Sequence, residues 1–295
     1  MNGWHILYRG SLSSCNYGCD YCPFAKTSNS VDELQQDQRA LDRFVAWVGE
    51  TRRDIGVLIT PWGEALVHRY YRRALVTLSR MAHVRRIAIQ TNLAAPIDDL
   101  LDADRDALAL WTTFHPSQTS LDRFTARCHE MDAAAIRYSV GVVGIREHFD
   151  AIAELRARLR PDVYLWVNAS KHDPAYYQPG EVERLRAVDP YFHWNLPRYP
   201  SRGGSCRAGE TAFTVAGDGG VRRCHFVGEI IGNIYEPGFD DALKPRPCPA
   251  ETCGCHIGYV HRPELKLDGL FGAGLLERIP ENWPKLYPRF APARC

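Results

Sequence analysis

The sequence predicts a parallel α/β fold of six βα units, and three observations predict it. Short runs rich in Val, Ile and Leu recur along the first two thirds of the chain. Amphipathic helical segments separate them, and the alternation proceeds in series. Near-continuous apolar runs suit strands buried on both faces, and strands alternating with helices argue for a parallel sheet.

The expected strands are Ile6–Arg9, Ile55–Thr60, Arg86–Thr91, Leu108–Thr113, Ile136–Val143 and Val163–Asn168. Ser30-Val31-Asp32-Glu33 matches a capping box, after which Leu34, Leu41, Val45 and Val48 share one helical face. Leu66, Tyr70, Leu75, Leu78 and Met81 form a second stripe. Thr119 to Ala134, Arg146 to Leu159 and Glu181 to Val188 supply further helices.

The pattern changes near residue 190. Seven of nineteen prolines precede Pro190 and twelve lie at or after it, as do six of the ten cysteines. Thr211–Ala216 and Val221–His225 read as a hairpin around Gly217-Asp218-Gly219-Gly220. A boundary near residue 195 therefore divides an α/β part, 1–195, from a small Cys-rich part, 196–295. The tail from Leu265 to Arg278 is expected to pack against the first part.

Composition narrows the functional classes. Of 295 residues 45% are hydrophobic and 24% charged, as in an ordinary globular protein. Thirty-six basic residues against thirty-five acidic ones leave +1, so no electrostatic footprint points to nucleic acid or anionic lipid. No run approaches the ~18 apolar residues of a membrane helix, and the first residues lack a secretory pattern. A cytoplasmic location is expected, and neither nucleic acid nor membrane is an expected partner.

Ten cysteines are the unusual feature. Clustered cysteines without a secretion signal favour metal ligation over disulfides. Cys15, Cys19 and Cys22 fall on one loop after the first strand, where βα barrels carry their chemistry. The later strand ends carry Trp62-Gly63-Glu64, Thr91-Asn92, Phe114-His115, Val142-Val143-Gly144 and Asn168. Three thiolates can ligate three irons of a four-iron cluster and leave one position open to a ligand. A zinc knuckle completed by a distant His is the competing use of the same thiols. Glu64 at a helix start, Asn92 and Asn168 at turns, and His115 in a loop also have purely structural readings.

Cys15-x3-Cys19-x2-Cys22, with Tyr21 before the last cysteine, resembles the signature of the radical SAM superfamily. Gly63-Glu64 resembles the Gly-Gly-Glu motif of that family, with Trp62 replacing the first glycine. Val142, Gly144 and Glu147 resemble its G-x-I-x-G-x-x-E motif, with Val140 at the first glycine. The resemblance covers residues 5 to about 195. It implies a partial (β/α)6 TIM-type barrel holding one [4Fe–4S] cluster and S-adenosylmethionine. Glu64 would accept from the methionyl amino group, and the Tyr21 backbone and the Val142–Gly144 segment would border the adenine. Gly63 belongs to the same motif, Thr91, Asn92 and Asn168 are available to ribose and carboxylate, and His115 is the candidate catalytic residue. The implied reaction is reductive cleavage of S-adenosylmethionine to a 5′-deoxyadenosyl radical, which abstracts hydrogen from a peptide or small-molecule substrate. An electron donor such as a flavodoxin or ferredoxin is implied as partner.

Cys206-x12-Gly219-x4-Cys224, followed by Cys248, Cys253 and Cys255, resembles the SPASM or twitch extension of these enzymes. Such extensions hold auxiliary iron–sulfur clusters, and five cysteines suffice for one. Cys206, Cys224, Cys253 and Cys255 are the favoured ligands, with Cys248 as rival and His256 as a further donor. Structural zinc suits four thiolates equally well. Cys128 reads as a buried hydrophobe and Cys295 as unpaired.

The alternative function is a non-enzymatic iron–sulfur or zinc-binding protein for electron transfer or partner binding. A zinc deaminase fails because Gly18 stands where proline is required and His5 is followed by Ile6-Leu7. A thioredoxin-like use of Cys19 and Cys22 leaves Cys15 unexplained.

Overall fold

The computed structural model describes residues 3–24 and 27–283. Cys295 lies outside the described residues. Strand β1 (Trp4–Gly10) enters the cysteine loop, which ends at helix α1 (Val31–Glu50). Ser30 Oγ accepts the Glu33 N–H at 3.3 Å, and the Glu33 carboxylate accepts the Ser30 N–H at 2.7 Å. This reciprocal pair starts α1 where the sequence predicts it.

Strand β2 (Ile55–Ile59), helix α2 (Arg69–Ser79), β3 (Val84–Thr91) and β4 (Leu108–Phe114) follow. Then come α3 (Leu121–Ala133), β5 (Arg137–Val143), α4 (Phe149–Arg158), β6 (Leu165–Asn168), α5 (Pro179–Arg186) and α6 (Phe192–Asn195). Two local expectations need correction. The stripe from Leu66 to Met81 is a 3-10 turn at Ala65–Val67 followed by α2, because the Glu64 carboxylate accepts the Leu66 N–H and caps the turn separately. The link from β3 to β4 holds only a 3-10 turn, Asp98–Leu100, in a segment containing Pro96. Proline lacks the N–H that a continuing helix needs.

Strands β1 to β6 run parallel in sequence order. Beyond residue 195, β7 (Tyr199–Pro200) pairs with a later strand, and β8 (Ala212–Ala216) forms a hairpin with β9 (Gly220–Arg222). Strand β8 also lies parallel to β1, with His5 opposite Ala212, so the sheet continues through this part. Strand β10 (Ile230–Asn233) completes a nine-stranded sheet ordered β10-β9-β8-β1-β2-β3-β4-β5-β6. Strand β11 (Thr252–Cys253) is the partner of β7. Helices α7 (His256–Tyr259) and α8 (Asp268–Phe271) lie in the tail.

Alternation along the strands divides two cores. Ile6, Tyr8, Val57, Ile59, Ile87 and Leu110 pack outward with the helices. Leu7, Leu58, Ala88, Trp111 and Trp166 face inward, where Val260, Phe271, Leu275, Leu276 and Trp283 cover them. The tail thus fills one end of the barrel interior. No helix among the described residues is long and apolar enough to cross a membrane.

Candidate functional site

The loop after β1 is tied down before its first cysteine. The Asp37 carboxylate, 1% exposed, accepts from the N–H of Ser11 and Leu12, the Ser11 hydroxyl, and the hydroxyls of Tyr70 and Tyr71, at 2.8–3.0 Å. Asn29 Oδ1 accepts the N–H of Ser13 and Ser14 at 2.9 and 2.8 Å. The Ser14 carbonyl then accepts the Glu64 N–H at 3.0 Å. A Cβ on Gly63 would fall 1.9 Å from that carbonyl, so only glycine allows the two loops to meet.

This arrangement brings Cys15, Cys19 and Cys22 to a cavity of about 260 Å³. Gly63, Glu64, Thr91, Asn92 and His115 share its wall, as do Gln90 and Thr113. Glu64 is 5% exposed, and its two oxygens accept the Thr91 hydroxyl and the Asn92 N–H, each at 2.6 Å. Burial still pushes its carboxyl up to about 7. Asn92 Nδ2 donates to Asn16 Oδ1 at 2.8 Å and lies 3.9 Å from Cys15 Sγ. The Gly18 N–H donates to Gln118 Oε1 at 2.9 Å, tying the cysteine loop to the end of β4.

Tyr21 Oη and His115 Nδ1 lie 2.7 Å apart with their rings stacked, and His115 Nδ1 is 3.4 Å from Cys19 Sγ. Burial lowers His115 to about 4, so its imidazole is neutral near pH 7. Tyr21, itself off the cavity wall, also meets His148 edge to face, and His148 Nδ1 is 3.0 Å from the Val143 carbonyl. Val142 is fully buried in the outer core, and Val143 and Gly144 stand beyond Tyr21, off the wall of this cavity. A Cβ on Gly144 would fall 2.6 Å from Val167 Cγ1, and the Gly144 N–H donates to the Asn168 carbonyl at 2.9 Å. Asn168 itself faces a second cavity.

That second cavity, about 470 Å³, is lined by Cys206, Cys224, Cys248, Cys253 and Cys255. Burial raises the Cys224 and Cys253 thiols to about 11 and 12, and raises those of Cys206 and Cys255 as well. One cysteine at each site, Cys15 and Cys206, accepts the backbone N–H two residues on, at 3.4 and 3.5 Å. Such donors favour the thiolate form and support it as a metal ligand. His256 is buried beside Trp111 and Phe271, off the wall of the cavity. Cys128 is fully buried in the helical core.

The donor sets of both cavities are soft thiolates, which suit iron–sulfur centres. Among the described residues no three His, Cys, Asp or Glu side chains converge as a single-ion site requires. Ligands to one zinc all lie about 2.0–2.3 Å from one point, whereas thiolates on a cluster bind separate irons.

Several residues at these sites carry no motif. Arg9 stacks over Trp62 at 3.7 Å, and Phe24 meets the same indole at 4.3 Å between ring centroids. This packing occupies the position where the resembling motif has its first glycine. Asp37 had a readable signal, an acid on the buried stripe of α1 with Leu41, Phe44 and Val48. Lys171, in the second cavity, had none.

No protein-family model and no curated protein matches the chain. Solved structures do. anSMEcpe with bound AdoMet has a TM-score of 0.53 over 81% of this chain and 82% of its own, at 13% identity. Streptococcus suis SuiB bound to S-adenosylmethionine has a TM-score of 0.56 over 82% and 66%, at 13% identity. SuiB bound to its precursor peptide SuiA has a TM-score of 0.55 over 82% and 65%, at 12% identity. The chain shares the fold of these S-adenosylmethionine-bound proteins.

Proposed function

We propose that this chain is a radical SAM enzyme whose first cavity holds a [4Fe–4S] cluster and S-adenosylmethionine. One observation carries the reading: the thiols of Cys15, Cys19 and Cys22 share a cavity with buried Glu64 at the carboxyl end of a parallel barrel. Cluster and cofactor together supply reductive cleavage of a sulfonium, giving a radical that removes hydrogen from the substrate. Cys15, Cys19 and Cys22 would hold the cluster, and a cluster with three protein ligands would leave one iron open to the cofactor. Glu64 accepts from the amino group, for which an ionised carboxylate beside a cation is well suited. Thr91 and Asn92 hold that carboxylate in place, and Asn92 also reaches toward Cys15. Tyr21 packs between His115 and His148 and orders the wall toward Val142, Val143 and Gly144, the adenine side. His115, neutral and within reach of Cys19 and Tyr21, is the candidate for contact with the substrate.

The five C-terminal cysteines belong in this reading to an auxiliary cluster in residues 196–295, following the barrel of residues 1–195. Cys206, Cys224, Cys253 and Cys255 are its ligands, with Cys248, on the same wall, as the rival for one of those places. A peptide substrate is favoured over another small molecule, because anSMEcpe and SuiB, similar in fold, have been seen with peptides. A flavodoxin or ferredoxin would supply the electron in a cytoplasmic setting.

The test is anaerobic incubation of the reduced, reconstituted protein with S-adenosylmethionine. 5′-Deoxyadenosine should form in the parent and fall to background when Cys15, Cys19 or Cys22 becomes Ala. Iron-loaded parent protein that forms none would leave the non-enzymatic reading in its place.

A further inference from the structure

We infer that Arg9, Lys171 and Arg278 form a belt of cations balancing a net-anionic occupant of the second cavity and setting its reduction potential. The inference rests on the iron–sulfur reading of that cavity and assigns roles to three residues outside every motif.

Arg9 is 8% exposed and Arg278 4%, and the Nε of each is buried without a hydrogen-bond partner. Among the described residues neither guanidinium forms an ion pair with a carboxylate. A buried cation is costly unless a counter-charge accompanies it. Of the buried acids nearby, Asp189 is held by neutral donors within reach of Arg278, and Glu277 is ion-paired elsewhere. Asp189, electrostatically coupled to Arg278, accepts from Tyr164 Oη and from the N–H of Val167 and Tyr191 at 2.8–3.0 Å. Glu277 pairs with Arg137 at 3.0 Å and Arg86 at 3.6 Å.

Lys171 stands on the cysteine wall itself, beside Arg198, Arg223 and Arg262, and Arg9 and Arg278 approach it from behind through aromatic neighbours. Arg9, on β1, stacks on Trp62, whose ring lies 6.3 Å from His225, the neighbour of Cys224. Arg278, in the tail, lies 4.2 Å over Trp166 and 5.7 Å over Trp111. Trp111 in turn meets His256, the neighbour of Cys255, at 5.5 Å. Lys171, just after β6, donates from Nζ to the Gly254 carbonyl between Cys253 and Cys255.

With five neutral thiols this belt of three cations has, among the described residues, one carboxylate within electrostatic reach, Asp189, and it reaches Arg278 alone. A cluster ligated by four thiolates carries net negative charge and compensates the belt. Reduction adds a further electron, so nearby cations favour the reduced state and their removal disfavours it. Lys171 and Arg278 are thus positioning and tuning residues for a centre they do not ligate.

The experiment uses the full chain with Cys15, Cys19 and Cys22 changed to Ala, so that only the second centre remains. Iron and sulfide are counted after anaerobic reconstitution, and the centre is titrated with redox mediators under EPR. Retention of about four irons per chain supports the underlying reading, and absence of iron overturns that reading by itself. At the potential that half-reduces this parent, Arg278→Met and Lys171→Met are each expected to lower the reduced-to-oxidised ratio about tenfold, or about 59 mV for one electron. Arg278→Lys should keep the ratio within about twofold, because charge rather than shape is at issue. Iron lost from a methionine variant whose circular dichroism is unchanged also supports the inference, since the belt is then needed to hold the centre. Lys171 is only partly buried, so its variant remains informative should Arg278→Met fail to fold. Four irons with an unchanged ratio in Lys171→Met and in every folded Arg278→Met sample overturns the charge-balance inference alone.

Discussion

Replacing Glu64 by Gln tests the polarity of the first cavity in one measurement. Burial raises its carboxyl from 4.5 to about 7 even though three donors face it. Holding the proton over that range is a difference of about 3 kcal/mol between the folded and unfolded chain. The sign follows from proton linkage. Between pH 4.5 and about 7 the unfolded chain has lost this proton and the folded chain keeps it. Stability therefore falls as pH rises through that window and levels off above it. The amide that Glu64→Gln introduces cannot ionise, so this fall is absent from the variant. That amide does carry a separate penalty, because its NH₂ group must face the Thr91 hydroxyl or the Asn92 N–H. The penalty, about 1–3 kcal/mol, does not change with pH. Urea unfolding of metal-free protein, without S-adenosylmethionine, at several values from pH 5 to pH 8 separates the two terms. The parent should lose about 2.5 kcal/mol relative to Glu64→Gln between these extremes. A difference constant within about 1 kcal/mol would refute the argument that a desolvated carboxylate stands in this cavity.

Three other outcomes are expected. Cys253→Ala should spare 5′-deoxyadenosine formation while lowering turnover of the true substrate, whereas Cys15→Ala should abolish both; product analysis with equal losses would show that the two cysteine groups share one task. Asp37→Ala leaves five donors without an acceptor, three of them buried, and should cost about 3 kcal/mol or more in a denaturant titration. Asp37→Ala should also lower iron occupancy at the first site and leave that of the second. Gly63→Ala forces a methyl to within 1.9 Å of the Ser14 carbonyl unless the loops part, so S-adenosylmethionine binding measured by calorimetry should be lost.

Much of the scaffold could be read from local pattern. Short β-branched runs gave all six parallel strands because burial on both faces leaves little room for polar residues. The Ser30–Glu33 box gave the start of α1 because the cap is a property of four consecutive residues. The cysteine loop, Gly63, Glu64, Thr91, Asn92 and His115 meet because each follows a parallel strand. Illegible features depend on distant partners. Strand β8 joins β1 across some two hundred residues of chain, a pairing with no local signature. Asn168 ends β6 as expected, yet the curve of the sheet turns it to the second cavity. Val142 belongs to a plausible motif, but strand alternation sends its side chain into the outer core. Arg9 and Arg278 look like ordinary surface charges in sequence, and only the folded chain shows both enclosed among tryptophans.

The tail inside the barrel has a consequence for dissecting the molecule. It acts as a floor under the sheet, while β8 lies along the flank of β1. A fragment stopped near residue 195 would lose both. Leu7, Leu58, Ala88, Trp111 and Trp166 would then form one wet, sticky surface beside an unpaired strand edge. Such a surface invites aggregation. Substitutions within the intact chain, rather than scissors, are the way to take the two cysteine groups apart.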